Sequence, residues 1–160
     1  MRRSLIVLAR VAAVAAAAFA IDVLCIRPYR GAVVEVEVEQ RSTVAATADR
    51  QRAVIIVRDN LRDLDRIAPA RRLAASWYML YGGNLALINR WPEATEVYTR
   101  ALTIDRRPEI YFDRGLARIH LGQLDAATAD MATAARFNPF VLDQVDGELR
   151  ARVAAAAGLK

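Results

Sequence analysis

Cysteine, histidine and lysine each occur once in the 160 residues, as Cys25, His120 and Lys160. A single cysteine excludes an internal disulfide, and one cysteine with one histidine excludes a zinc cluster or a CxxCH haem site. There is no glycine-rich phosphate loop, no nucleophile elbow and no acid–base pair. His120 shares a helix face with Asp113, but no nucleophile stands with them. Glu35, Glu37 and Glu39 lack the rigid loop that turns carboxylates into a cation site. No catalytic residue, metal or cofactor is therefore expected.

What is abundant is apolar residues, at 55% of the chain, and arginine: of 23 basic residues, all but Lys160 are arginine. That bias points to a GC-rich bacterial genome. The net charge is +5, and most of it comes from Arg2, Arg3, Arg10, Arg27 and Arg30 set against Asp22. These arginines flank an apolar run, where they meet lipid headgroups, and no basic–aromatic stripe follows. Nucleic acid is not an expected partner despite a pI near 10.0.

The run from Leu5 to Ile26 is broken only by Arg10 and Asp22. As a helix it is roughly 33 Å long at about 1.5 Å per residue, enough to cross a bilayer. Leu5, Val11, Val14, Phe19, Ile21, Leu24 and Ile26 are its lipid-facing candidates, with Tyr29 and Arg30 as interfacial anchors. Two other fates compete. Ala18-Phe19-Ala20 has the small residues of a signal-peptidase site, but apolar residues continue past it, unlike a signal peptide's end. Lipidation of Cys25 calls for a small residue before it, where Leu24 stands. A retained anchor over residues 1–30 is the leading expectation. The arginines place the amino terminus inside and the body in the periplasm of a bacterial cytoplasmic membrane. The alanine-rich span is weakly hydrophobic and has small faces for close helix packing. It is expected to sit beside other membrane proteins as well as the lipid bilayer.

VVEVEVEQ (33–40) alternates with period two. That pattern leads to an extended linker over 31–41, or to a strand through Val34, Val36 and Val38 added to a partner's sheet. From Ser42 the period changes. Val54, Val57, Leu61, Leu64 and Ala68 mark one face of a helix that Pro69 is expected to end.

Two later stretches repeat each other. Tyr78 and Tyr111, Gly82 and Gly115, Ala94 and Ala127, Tyr98 and Met131, and Ala101 and Ala134 all stand 33 residues apart. A fixed period in this range marks stacked helix hairpins. Gly82 and Gly115 fall inside helices, where close helix contact explains them, and Asn89 and Gly122 fall at turns that want a left-handed residue. Pro92 suits a first helical turn. At these residues the chain resembles the tetratricopeptide repeat (TPR) family, with repeats at about 75–105 and 108–139. The second copy matches better, at Tyr111, Gly115, Gly122, Ala127, Met131, Ala134 and Pro139. The first departs from the pattern at Asn89 and Arg106.

The expected architecture is all-α: one transmembrane helix, then a TPR-like domain over 42–160. Because about three repeats are needed for a continuous core, the 42–68 helix is expected to cover one end and the helix at 140–157 the other. The predicted core is Trp77, Leu80, Tyr81, Leu85, Trp91, Tyr98, Leu102, Tyr111, Leu124 and Met131.

The resemblance implies protein–protein interaction along a groove lined by the first helix of each hairpin. Carried over by position, that groove is Ser76, Met79, Gly83, Ala86, Leu87, Glu109, Phe112, Leu116, Ile119 and His120. The family's carboxylate clamp is absent, its places being held by Met79, Gly83, Phe112 and Leu116. An apolar groove of this kind fits an amphipathic helix. Alternatively, the helix carrying Val54 to Leu64 fills it from within the chain. The function expected is a non-catalytic, membrane-anchored interaction protein, an accessory or assembly subunit of a respiratory, photosynthetic or envelope complex. A secreted adaptor cut after Ala20 is the alternative.

Overall fold

The computed structural model describes the backbone of residues 2–159 and the side chains of residues 12–159. The apolar amino-terminal run forms α1 (Arg2–Ile21), which continues through a π turn at Asp22–Ile26 into α2 (Arg27–Thr47). Then follow α3 (Arg50–Arg71), α4 (Ala75–Leu87), α5 (Trp91–Ile104), α6 (Pro108–His120), α7 (Leu124–Phe137), a 3₁₀ segment at Pro139–Gln144 and α8 (Gly147–Ala157). Among the described residues there is no strand, and the chain is all-α with TPR-like hairpins.

The repeat has a physical cause at its glycines. A methyl group on Gly82 would stand 2.7 Å from the Tyr98 ring, and one on Gly115 would stand 2.8 Å from Met131 Cγ. Each glycine lets the second helix of its hairpin lay a large side chain on the first. Ala94, Ala101, Ala127 and Ala134 expose no surface and keep the axes close. The turns reverse through Asn89 (φ 62°) and Gly122 (φ 73°), the conformation expected there. In both turns one carbonyl, that of Leu85 or Arg118, accepts a hydrogen bond from the N–H of Arg90 or Gln123 at 2.9 Å.

Two expectations are overturned upstream. Residues 31–41 are neither an extended linker nor a strand: they lie in the middle of α2. Read at helical rather than strand period, Gly31, Glu35, Val38 and Ala45 form one buried face, with half-buried Ser42 between them. Val38 is fully buried against Leu64 and Trp77, Val34 packs beside it, and Val36 faces solvent. Glu35 accepts two hydrogen bonds from Arg71, at 2.6 and 3.0 Å, and one from Ser76 Oγ at 2.9 Å. Tertiary packing overrode the valine–glutamate alternation, whose strand preference is context-dependent. The expected single helix over 42–68 is likewise two helices that break at Ala48–Asp49. Asp49 caps α3 by accepting from the Gln51 and Arg52 amides at 3.1 and 3.0 Å. Pro69 lies inside α3, which runs on to Arg71. So near the end of a helix, proline's missing N–H disturbs little of the remaining hydrogen-bond ladder.

Thus α2 and α3 make a further hairpin, stacked on α4 as α4–α5 is on α6. Its second helix has 22 residues against 14 in α5, which hides it from a 33-residue period. At the other end Val145 and Val153 close the core over Met131, Ala132 and Ala135, but the helix expected over 140–157 is a 3₁₀ segment at Pro139–Gln144 followed by the shorter α8. Of the predicted core, Trp77, Leu85, Tyr98 and Met131 are buried, Leu80, Tyr81, Trp91, Leu102 and Tyr111 are half-buried, and Leu124, which opens α7 at the edge of the Gly122 turn, is 46% exposed.

Polar ties lock neighbouring helices. Arg114 grips Asp130 in a two-pronged pair at 2.8 and 2.7 Å, and Arg118 reaches the same carboxylate at 2.7 Å, joining α6 to α7. Asn60 donates to Asn84 at 2.8 Å and to Ser42 at 3.2 Å, and Asn84 donates to Ser42 at 3.0 Å, joining α2, α3 and α4.

Candidate interaction surface

The first helices of the three hairpins, α2, α4 and α6, supply the walls of two shallow clefts. One, of about 300 Å³, opens between α2 and α4. Glu39, Thr43 and Ala46 form one side, and Met79, Gly83 and Leu87 the other, over Ser42 and Asn84. The second, of about 320 Å³, lies between α6 and the 3₁₀ segment, with Glu109, Phe112, Asp113, Val141 and Gln144 around it. No residue of α3 lines either cleft, so the helix carrying Val54 to Leu64 does not plug them. Val57 and Leu64 are buried in the core instead.

Of the groove residues expected from the sequence, the structure gathers Met79, Gly83 and Leu87 in the first cleft, and Glu109 and Phe112 in the second. Leu116 is exposed one turn beyond Phe112 on α6. Ile119 packs half-buried against the C-terminal core, as does part of Phe112. His120 lines neither cleft: its ring stacks on Trp91 at 3.8 Å and 3°. Sequence reasoning missed the α2 wall, because residues 31–41 read as extended. The buried face from Gly31 to Ala45 was the available signal, and it puts Glu39, Thr43 and Ala46 on an adjacent face.

The ionisable residues lining the two clefts, Glu39, Glu109 and Asp113, are all acidic in a chain of net charge +5. Burial, followed by the charge of Glu109 one turn away, pushes the Asp113 carboxyl up to about 6. Tyr98 on α5 is raised too, by its own burial first and then by Asp113. Among the described residues no cluster of side chains is arranged to hold a metal.

The amino-terminal helix leaves its apolar residues uncovered. Val14, Phe19, Ile21, Leu24 and Ile26 are all exposed, whereas Leu5 and Val11 of the expected span fall outside the described side chains. This helix is long and apolar enough to cross a membrane, and it is also of the kind a signal sequence provides. Its π turn precedes Pro28, which has no N–H to offer the Leu24 carbonyl and crowds it. The wide turn, with the Arg27 amide bonded to the Asp22 carbonyl, takes up that mismatch while the helix continues.

Comparison with solved structures supports the repeat assignment. The chain is similar to a thermophilic TPR protein from Thermus thermophilus, with a TM-score of 0.67 and 25% identity. The match covers 87% of this chain and 69% of that one. No protein-family model matches the chain, and no curated protein does. The fold is a TPR-like helical repeat, an architecture that points to protein partners and is typically non-catalytic.

Proposed function

We propose that this protein is a non-catalytic interaction subunit anchored in the bacterial cytoplasmic membrane, with its amino terminus inside and its TPR-like head in the periplasm. The observation that carries the reading is continuity. The uncovered apolar helix runs on, without a flexible joint, into the helix that forms the first wall of an open cleft. A partner seated on Met79, Gly83, Leu87, Phe112 and Leu116 would be held at a fixed height above the bilayer. The acidic rim supports a partner segment that is apolar on one face and carries basic residues, and the small-faced span supports neighbouring membrane helices. An accessory or assembly subunit of a respiratory, photosynthetic or envelope complex has these properties. The rival, a secreted adaptor, rests on the small residues at Ala18 and Ala20.

Purification of the full chain in mild detergent, with mass spectrometry and amino-terminal sequencing, tests the proposal. The uncut chain should come from the membrane fraction with other membrane proteins. Gly83→Arg, at a position where a Cβ would meet the Tyr98 hydroxyl at an ordinary 3.9 Å, should release head-bound partners without unfolding the chain. A soluble mature form beginning at Ile21 would sink the anchor. A chain that emerges alone and monodisperse would sink the subunit role.

A further inference from the structure

A cleft of about 460 Å³ lies away from the interaction surface, where the start of α2 meets the end of α3. Its charged lining is Arg27, Arg30 and Arg66, and no carboxylate lines it. Its apolar lining includes Val23, Pro28 and Ile67. The nearby acids leave the site positive. Asp22 holds Arg27 at 2.7 Å, and Asp63 divides itself between Arg66 at 3.1 Å and Arg41 at 2.7 Å. Arg30 forms no ion pair among the described residues. Val23 belongs to the uncovered apolar helix, so whatever fills the cleft touches both the arginines and the membrane-facing surface. Outside its lining, Tyr29, next to Pro28 in the chain, is 72% exposed, and Leu73, just past the end of α3, is 85% exposed.

We propose that this cleft holds the phosphate headgroup of an anionic phospholipid, with the acyl chains lying beside Val23 and the end of α1. The charge, the apolar lining and the continuity with the span favour lipid over a protein ligand: the arginines attract an anionic headgroup while the acyl chains cover the apolar residues beside them. A filled cleft bridges α2 and α3 next to the Gly31–Arg71 contact and so fixes the tilt of the head against the bilayer. The site rests on the anchor proposed above, and the experiment separates the two.

The full chain is extracted into micelles containing equal phosphatidylglycerol and phosphatidylcholine, and retained lipid is read by native mass spectrometry. A parallel carbonate wash of membranes reports anchoring. The chain should keep phosphatidylglycerol in preference, and Arg30→Gln/Arg66→Gln should weaken that retention roughly thirtyfold, the scale expected for two arginines near a headgroup. Arg50→Gln/Arg106→Gln, which removes the same charge elsewhere, should not. Equal retention of the two lipids, an unaffected cleft variant, an equal loss in the control variant, or displacement by inorganic phosphate at matched concentration each overturns the lipid site while the anchor stands. Release of the chain by carbonate overturns both.

Discussion

At the scale of single residues, Asp113 is a group whose chemistry the sequence does not announce. It is half-buried beside Glu109 and Tyr98, with Asn138 and Gln144 facing it as uncharged neighbours. Its carboxyl titrates near 6 in the folded chain against an ordinary value of 3.8. Between those values the native state binds the extra proton, so stability falls as pH rises through the window, and the cost is complete above it. Asp113→Asn should therefore stabilise the head at pH above 7 by on the order of 2 kcal/mol. Below pH 3.8 it should have little effect, which denaturant titrations at the two pH values would check. Seven residues of separation in sequence suggested an Asp113–His120 face. In the structure His120 is taken by Trp91, because stacking covers its ring whereas Asp113 turns toward α5 and the 3₁₀ segment.

At the scale of elements, the α2–α3 hairpin is held by polar groups that a sequence pattern does not advertise. Asn60 and Asn84 are essentially fully buried, and with Ser42 they bond to one another across three helices, while Asn60 Oδ1 has no partner among the described residues. Asn84→Ala strips a partner from each of Asn60 and Ser42, and buried polar groups left unpaired cost about 1–3 kcal/mol each. Hydrogen exchange should show the loss in α2 and α3, with α6 and α7 unchanged. Uniform loosening of all helices would contradict the role assigned to this triad. The central hairpins were legible because glycine, alanine and a large residue recur at a fixed offset, a consequence of identical helix crossings. This first hairpin was not, since its longer helices shift the register and side-chain hydrogen bonds supplement its apolar contacts.

At the scale of the whole molecule, the boundary of the head moves upstream. With 31–41 as a linker, truncation anywhere before Ser42 would spare the domain. The structure makes Glu35 and Val38 core residues, so the head begins near Arg27. A chain lacking residues 1–26 should keep its cooperative thermal unfolding. One lacking residues 1–41 loses the Glu35 partner of Arg71 and uncovers Leu64 and Trp77, and it should melt roughly 10 °C lower or more. Circular dichroism of the two truncations decides between a linker and a structural helix. The same continuity means that any tilt of the proposed span is passed to the cleft walls without a hinge to absorb it.

The sequence by itself determined the helical repeat, its turns at Asn89 and Gly122, the close crossings at Gly82 and Gly115, and an apolar amino-terminal helix. All of these depend on local conformation or on spacing along one chain. Only the tertiary structure decided that VVEVEVEQ is helical, that α2 forms the first wall of the groove through Glu39, Thr43 and Ala46, and that Arg30 and Arg66 meet across a cleft. The reason is physical. A valine–glutamate alternation satisfies a strand or a helix equally well until Leu64, Arg71 and Trp77 arrive from elsewhere in the chain and bury one of its faces.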